Sequence, residues 1–358
     1  MVITTFIYPV VVCWGWGEGW LSPFKSDHAA YILGGTASNN MIDFAGSGIV
    51  HMVGGFSGLM AAYFLGARKG RFVDGKTVDM PGHNMPLAAL GTIILWVGWY
   101  GFNAGSTLAV SGGAAKLASK VAVTTTLAAA AGGLTTTFVY KGELGRSLRV
   151  ESKSSLAHPI SLSLSPPTPP HPSGMYGKYD IGMCCNGILA GLVSITAPCA
   201  VVEPVWAIVI GMLGGLVYIG ASFGLKKLEI DDPLDAAPIH GFCGAWGVLA
   251  AGIFGTDENA AIAGYAASAA GLKPLGSAQQ FGVQLIGVIA IAAWTIVMSG
   301  LLFKAIDMTL GLRVDEGEED EGLDASEHGA SAYVMEFPGS GAAPEAAEVS
   351  PKSAEESA

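Results

Sequence analysis

One pattern occurs twice in this chain: Asp43-x7-His51-x3-Gly55-x2-Gly58-x2-Ala61-Ala62, and again Asp232-x7-His240-x3-Gly244-x2-Gly247-x2-Ala250-Ala251. Each copy sets one histidine inside an apolar, glycine-rich stretch of helical length. An imidazole at such depth is costly in hydrocarbon unless it faces a partner or a polar path, so a matched pair marks a site. Repeated halves with a site near the bilayer midplane are a recurrent design among transporters.

Composition agrees that a bilayer is the solvent. Hydrophobic residues make up 51% of the 358 and charged residues 13%, with 51 glycines, and the mean hydropathy is +0.48. These values depart from soluble averages in the direction of packed transmembrane helices. The formal net charge of -11 owes much to the tail, beginning at Glu316-Gly-Glu-Glu-Asp-Glu321, and suggests no nucleic-acid partner. Cys13, Cys184, Cys185, Cys199 and Cys243 have neither zinc-type spacing nor a secreted disulfide framework, and read as small packing residues. No metal and no cofactor is expected.

Apolar spans of about 20 residues, the length a bilayer core requires, fall at 43–66, 86–111, 119–140, 182–200, 202–224, 236–255 and 280–304, after a shorter apolar piece from Met1 to about Trp16. The expected fold is an all-α polytopic membrane protein. Lys and Arg collect in cytoplasmic loops. Arg68, Lys69, Arg71 and Lys76, then Lys141, Arg146, Arg149, Lys153 and Lys178, then Lys226 and Lys227, and finally Arg313, all fall on one side when the spans alternate. That places the C-terminus in the cytoplasm. The helix bearing His51 then runs inward and the helix bearing His240 outward. At about 1.5 Å per residue each histidine lies about 12 Å from its aspartate, so both imidazoles reach the midplane of a core about 30 Å thick.

Four spans separate the two histidine helices, so the repeating unit holds about five and about four should precede residue 43. Only 42 residues do. The reading is an N-terminally truncated transporter: a transmembrane region at 1–312 and an acidic cytoplasmic tail at 313–358. Residues 142–179 contain Ser161-Leu-Ser-Leu-Ser-Pro-Pro-Thr-Pro-Pro-His-Pro-Ser173, a Pro/Ser-rich composition that does not build a packed core. This stretch is read either as a cytoplasmic linker or as translated non-coding sequence. The last 20 or so residues of the tail are expected to be disordered.

Several motifs occur in one collinear order: Tyr8-Pro9, Ile42-Asp43-Phe-Ala-Gly-Ser-Gly-Ile-Val-His51, Trp96-Val-Gly-Trp-Tyr-Gly-Phe102-Asn-Ala-Gly-Ser106, Ala122-Val-Thr-Thr-Thr126, Cys185-Asn-Gly-Ile-Leu-Ala-Gly191, Val202-Glu-Pro204, Asp231-Asp-Pro-Leu-Asp-Ala-Ala-Pro-Ile-His240 and His328-Gly-Ala-Ser-Ala-Tyr-Val334. Through them the chain resembles the ammonium transporter family, in its plant and algal branch. The resemblance implies a fold of about eleven transmembrane helices in inverted five-helix repeats, of which this chain would supply the last seven to eight. It also implies a homotrimer, or a heterotrimer with related subunits, in the plasma membrane, with ammonium or ammonia as the transported species.

The same resemblance assigns roles. His51 and His240 align with the pore histidines, Trp16 with an external recruitment-site tryptophan, and Phe102 with one of two gate phenylalanines. Ser106 would offer a hydroxyl acceptor beside them. Asp43 coincides with an essential aspartate of the family; read from the residues alone it is an N-cap, and it is assigned a supporting role. Ser326 occupies the place of a phosphorylatable threonine in the family's regulatory tail, where phosphate would add charge. Trp99 is read as packing, and Asp232 and Asp235 as caps or loop anchors. Physically, a desolvating pore disfavours the charged ammonium ion, and imidazole can accept or relay its proton.

Two other classes compete. Gly55-Phe-Ser57-Gly58 matches the G-x-S-G of intramembrane serine proteases, which would need His240 as base within hydrogen-bond reach of Ser57. A family member that no longer transports, acting as a sensor or an interfering subunit, is the stronger rival.

Overall fold

The computed structural model describes residues 1–24, 40–141, 179–265 and 278–328. Nearly all of the Pro/Ser-rich stretch 142–179, the tail beyond 328 and the side chain of Ser326 lie outside the described residues. The chain divides into two compact units, Met1–Leu312 and Arg313–Ala358. In the second unit, two short helices, Glu316–Glu321 and Leu323–His328, follow Arg313, whose guanidinium grips Glu319 at 2.7 Å.

The first unit is helical, apart from a two-stranded hairpin between the second and third helices. Its helices are α1 (Ile3–Gly15), α2 (Ser47–Leu65), α3 (Met85–Thr107), α4 (Gly112–Lys141), α5 (Ile181–Thr196), α6 (Pro204–Lys227), α7 (Ala237–Phe254), the short α8 (Asp257–Ile262) and α9 (Ala278–Thr309). Among the described residues, six of them (α2, α3, α4, α6, α7 and α9) are long and apolar enough to cross a membrane. Their starts follow from local chemistry. Asn84 and Asp180 cap α3 and α5 by accepting from the backbone of Leu87 and Met183, and Pro204 opens α6, where its missing N–H leaves no bond unmade.

The span read at 182–200 is corrected by the structure. Helix α5 stops at Thr196, and residues 197–202 form a buried turn. Pro198 is the cause, because it has no N–H to donate to the carbonyl four residues back and its ring crowds that carbonyl, while Ala197 itself keeps helical dihedrals. The carbonyls freed at that end are used: Thr196 O and Ala197 O accept from the backbone of Ala45 and Phe44, at 3.2 and 3.1 Å. The chain leading into α2 is thereby tied to α5.

Small residues set the helix contacts. Gly132 on α4 meets the backbone of Gly187 and Gly191 on α5, and Gly211 on α6 meets Ala128 on α4. In lipid, close backbone approach of this kind drives association where water does not.

The hairpin pairs Phe72 with Thr77 and Val73 with Lys76. Its turn is Asp74-Gly75, with φ of 51° and 71°, the left-handed pair such two-residue turns require. Beside it, Asp231 in the α6–α7 loop accepts Arg68 Nε at 2.7 Å, Arg68 Nη2 at 3.0 Å and the Arg68 backbone N–H at 3.1 Å. Arg71 Nε lies 3.2 Å from the other carboxylate oxygen. Burial alone would raise the Asp231 carboxyl, but the Arg68 hydrogen bonds and the two guanidinium charges hold it below its ordinary value of 3.8. With its folded value depressed, this carboxylate stabilises the protein above the ordinary carboxylate range, and the contribution fades as acidification protonates it. Because the Arg68 side chain is 39% exposed, removing the charge with Asp231→Ala should cost about 2 kcal/mol, less than a fully buried pair. Thermal unfolding of the purified variant in detergent at neutral pH measures this, and the difference from wild type should narrow toward pH 3–4.

Candidate functional site

Both histidines lie in π-helical turns, Ser47–Met52 of α2 and Ala237–Phe242 of α7. Such widened turns inside α-helices recur at functional sites. Each is approached through a non-helical segment anchored by its aspartate. Asp43, 2% exposed, accepts from Gly46 N–H at 2.9 Å through one oxygen and from Gly48 and Ile49 N–H at 2.9 and 2.8 Å through the other. The turn works because Gly46 has φ 107°, a conformation a Cβ would strain. Asp232 accepts from Ala237 N–H at 2.7 Å. The capping read for these aspartates has a physical form: each carboxylate satisfies N–H groups that the helix start leaves free.

The two helices pack antiparallel at contact distance. Gly55 touches the backbone of His240 and Gly241, Gly244 touches Ser47 and Met52, and Gly247 touches Ser47. This brings His51 Nδ1 within 3.2 Å of His240 Nδ1, with the rings 5.3 Å apart and inclined by 20°. One imidazole must donate through Nδ1 and the other accept there, so at least one ring is neutral, since two Nδ1–H groups would repel. His51 Nε2 is buried with no hydrogen-bond partner.

An aromatic wall covers His51. Trp99 stacks on it at 5.0 Å and 13°, and Phe102 approaches at 5.4 Å. Trp99, read as packing, does lie in a buried hydrophobic cluster, and its indole also stacks on the His51 ring. Its Nε1–H donates to Thr196 Oγ1 at 2.9 Å, which locks the ring through the end of α5. The signal was present in the sequence: Trp99 stands three residues before Phe102, on the same helical face. Ser47 was also missed. Its hydroxyl donates to Val193 O at 2.7 Å and accepts from Ala197 N–H at 2.6 Å, pinning the start of α2 to α5. Trp99→Phe should cost about 1 kcal/mol for the lost hydrogen bond, and Trp99→Leu about 1 kcal/mol more for the lost stacking. Thermal unfolding of the two variants separates these terms.

The remaining candidates are spread out. Trp16 donates through Nε1 to Asp43 O at 2.7 Å and packs with Val11, Met41 and Ile49. Ser106 is half-buried, its hydroxyl donating to Phe102 O at 2.7 Å. Among the described residues Trp16 shares neither a hydrogen bond nor a ring contact with Phe102 or Ser106. Ser57 pairs with Ser299 Oγ at 2.8 Å rather than with either histidine, so no serine–histidine dyad forms. Asp235 accepts from the hydroxyls of Tyr218 and Ser222, both at 2.8 Å, as a loop anchor. All five cysteines are free; Cys185, Cys199 and Cys243 are buried as read, whereas Cys13 is exposed. No group of metal-ligating side chains occurs among the described residues.

The site is thus a half-buried imidazole pair held between two antiparallel repeat helices of a polytopic helical protein, beside an aromatic wall. The profile of the Ammonium Transporter Family matches residues 1–152 and 173–333, interrupted within the Pro/Ser-rich stretch. The chain belongs to the ammonium transporter family. It is 40% identical over 333 residues to Ammonium transporter Amt2 of Archaeoglobus fulgidus, covering 93% of this chain and 62% of that protein. It is 36% identical over 344 residues to Ammonium transporter 1 member 1 of Arabidopsis thaliana, covering 93% and 61%. Among solved structures, a Sensor Amt Protein superposes with a TM-score of 0.69 at 32% identity, over 91% of this chain and 67% of that one. Saccharomyces cerevisiae Mep2 superposes at 0.64 and 30%, over 88% and 60%. The chain thus spans about three-fifths of the length of the curated relatives it matches.

Proposed function

We propose that this chain conducts ammonium across a membrane, with the His51–His240 pair as the selective step. The observation that carries the reading is the 3.2 Å contact between the Nδ1 atoms of the two half-buried histidines. An imidazole pair that shares one hydrogen bond through Nδ1 leaves one Nε2 lone pair and one Nε2–H, and the lone pair can accept from a species with N–H donors and a removable proton. Potassium, of similar size and charge, has neither. Ammonium is recruited at Trp16, Phe102 and Ser106, where an aromatic face can hold a desolvated cation by about 2 kcal/mol. It gives up its proton as the path dries, and ammonia passes the histidines while the pair relays the proton or shapes its route. Asp43 supports this by fixing the start of α2 and, through its carbonyl, the Trp16 indole.

The same reading has the subunits assemble as a homotrimer, or with related subunits, in the plasma membrane with a cytoplasmic C-terminus. Phosphate on Ser326 would loosen tail contacts by adding charge to an acidic segment. The test is uptake of labelled ammonium by cells lacking their own ammonium transporters and expressing this chain. Uptake above the empty-vector level that excess potassium does not inhibit supports the proposal. Uptake at background, with the chain present in the membrane, rejects it.

A second reading is favoured by the likeness to the Sensor Amt Protein: a subunit that binds ammonium or joins other subunits without conducting. It predicts no uptake by this chain alone, and altered uptake when it is co-expressed with a full-length relative.

A further inference from the structure

The segment 40–42, which leads into Asp43, is neither helix nor strand, yet Asn40, Met41 and Ile42 are at most 1% exposed. Their backbone groups need partners at a depth where water cannot supply them. Met41 N–H donates to Leu21 O at 3.0 Å, and one side chain on α9 serves both backbone groups of Ile42. Gln284, fully buried, accepts Ile42 N–H at 2.8 Å through Oε1 and donates from Nε2 to Ile42 O at 2.8 Å. Its amide copies the paired bonds of a neighbouring β-strand. The same Nε2 donates to Val248 O at 2.7 Å, and Val248 lies on α7, the helix of His240. Gln280, one turn earlier, donates to Asn40 O at 3.0 Å.

The loop of contacts closes at the histidines. Ile42 precedes Asp43, whose carboxylate holds Gly48 N–H, and Gly48 leaves no room for a Cβ against Val248, whose Cγ2 would lie 2.8 Å from it. Gln284 therefore grips the segment before α2 and the body of α7 with one planar group, and the two meet again at Gly48 and Val248. We infer that Gln284 is a positioning residue that fixes the axial register of the two histidine helices and so the Nδ1–Nδ1 contact. Ile42 and Val248 can slide past each other only by breaking its bonds. No other amide on α9 reaches both helices among the described residues. The consequence for flux rests on the proposed function; the consequence for the imidazole contact does not.

The test uses the full chain in lipid bilayers with 15N-labelled histidine. An Nδ1–H···Nδ1 bond carries a two-bond nitrogen–nitrogen coupling, assigned by its loss in His51→Ala and His240→Ala. Gln284→Leu keeps the approximate volume and removes the bonds to Ile42 and Val248, along with the 3.4 Å contact from Gln280. The coupling should vanish and ammonium flux should fall about tenfold or more, as misplacement of a reacting group by about 1 Å suffices to do. Gln280→Leu, which removes the bond to Asn40 and the longer 3.4 Å donation to Gln284 Oε1 but leaves the Gln284 bonds to Ile42 and Val248, should keep the coupling. Gln284→Glu, able to accept from Ile42 N–H but to donate to at most one carbonyl when protonated, should weaken it, and this variant decides the matter if Gln284→Leu does not fold. A folded Gln284→Leu with the wild-type coupling, or, where that variant does not fold, a Gln284→Glu with the wild-type coupling, overturns the inference. Absence of flux in the wild type with the coupling intact would reject the proposed function and leave this inference standing.

Discussion

Leucine in place of His240 is expected to lower the proposed ammonium flux by about 100-fold in reconstituted protein of unchanged helix content, the low end of what a positioned proton-transfer group contributes. The substitution keeps an apolar side chain of similar bulk at a position whose imidazole makes one polar contact, to His51 Nδ1. Packing loss is therefore modest, and the chemical loss is large. His51 is left without its single polar partner, because its Nε2 is already buried and unpaired, and a lone imidazole between Trp99 and Phe102 can neither share nor pass on a proton. Flux measured on proteoliposomes with matched protein content checks this. An unaltered rate and unaltered selectivity over potassium would remove the pair from the mechanism.

Alanine at Gly55 has the largest structural effect expected of any single methyl addition to these helices. Its Cβ would lie on the Gly241 backbone nitrogen, 2.6 Å from Gly241 Cα and 2.7 Å from the His240 carbonyl carbon. Those atoms are backbone and cannot turn aside, so α2 and α7 must part and carry the imidazoles with them. A loss of about 3 kcal/mol or more is expected, at or above the upper range for overpacking, together with loss of flux. Gly54→Ala and Gly58→Ala serve as matched controls. A Cβ at Gly54 meets nothing within 4 Å, and one at Gly58 meets only Ala236 Cβ at 3.9 Å. In a helix interior both changes should be neutral or slightly stabilising. Thermal unfolding of the three variants in detergent gives the comparison, and equal stability for all three would mean that the helices do not touch where Gly55 meets Gly241.

What could be read beforehand depended on how local the cause was. The apolar runs gave the helices because span length and hydropathy are properties of a single segment, and the repeat gave the histidines because a costly residue twice at one spacing is conspicuous. Their antiparallel convergence followed from alternating basic loops. Local signals were also passed over: Asp74-Gly75 announces a hairpin, Pro198 announces an early end to α5, and Trp99 shares a helical face with Phe102. Nothing local announces the roles of Ser47, Thr196 or Gln284. A serine or glutamine in a span is polar in the same way wherever it points, and only three-dimensional placement tells that Gln284 meets Ile42, 242 residues away in sequence. The π-helical turns at both histidines were likewise hidden, since widening by one residue leaves the apolar pattern almost unchanged.

The most direct test of the account is ammonium flux by this chain alone, purified and reconstituted in potassium-filled proteoliposomes under an inward ammonium gradient. The account predicts saturable ammonium flux with no matching potassium flux, and its loss in the His51→Leu, His240→Leu double variant. Flux equal to that of protein-free vesicles, from a chain whose Nδ1–Nδ1 coupling shows the imidazole pair to be assembled, would contradict it.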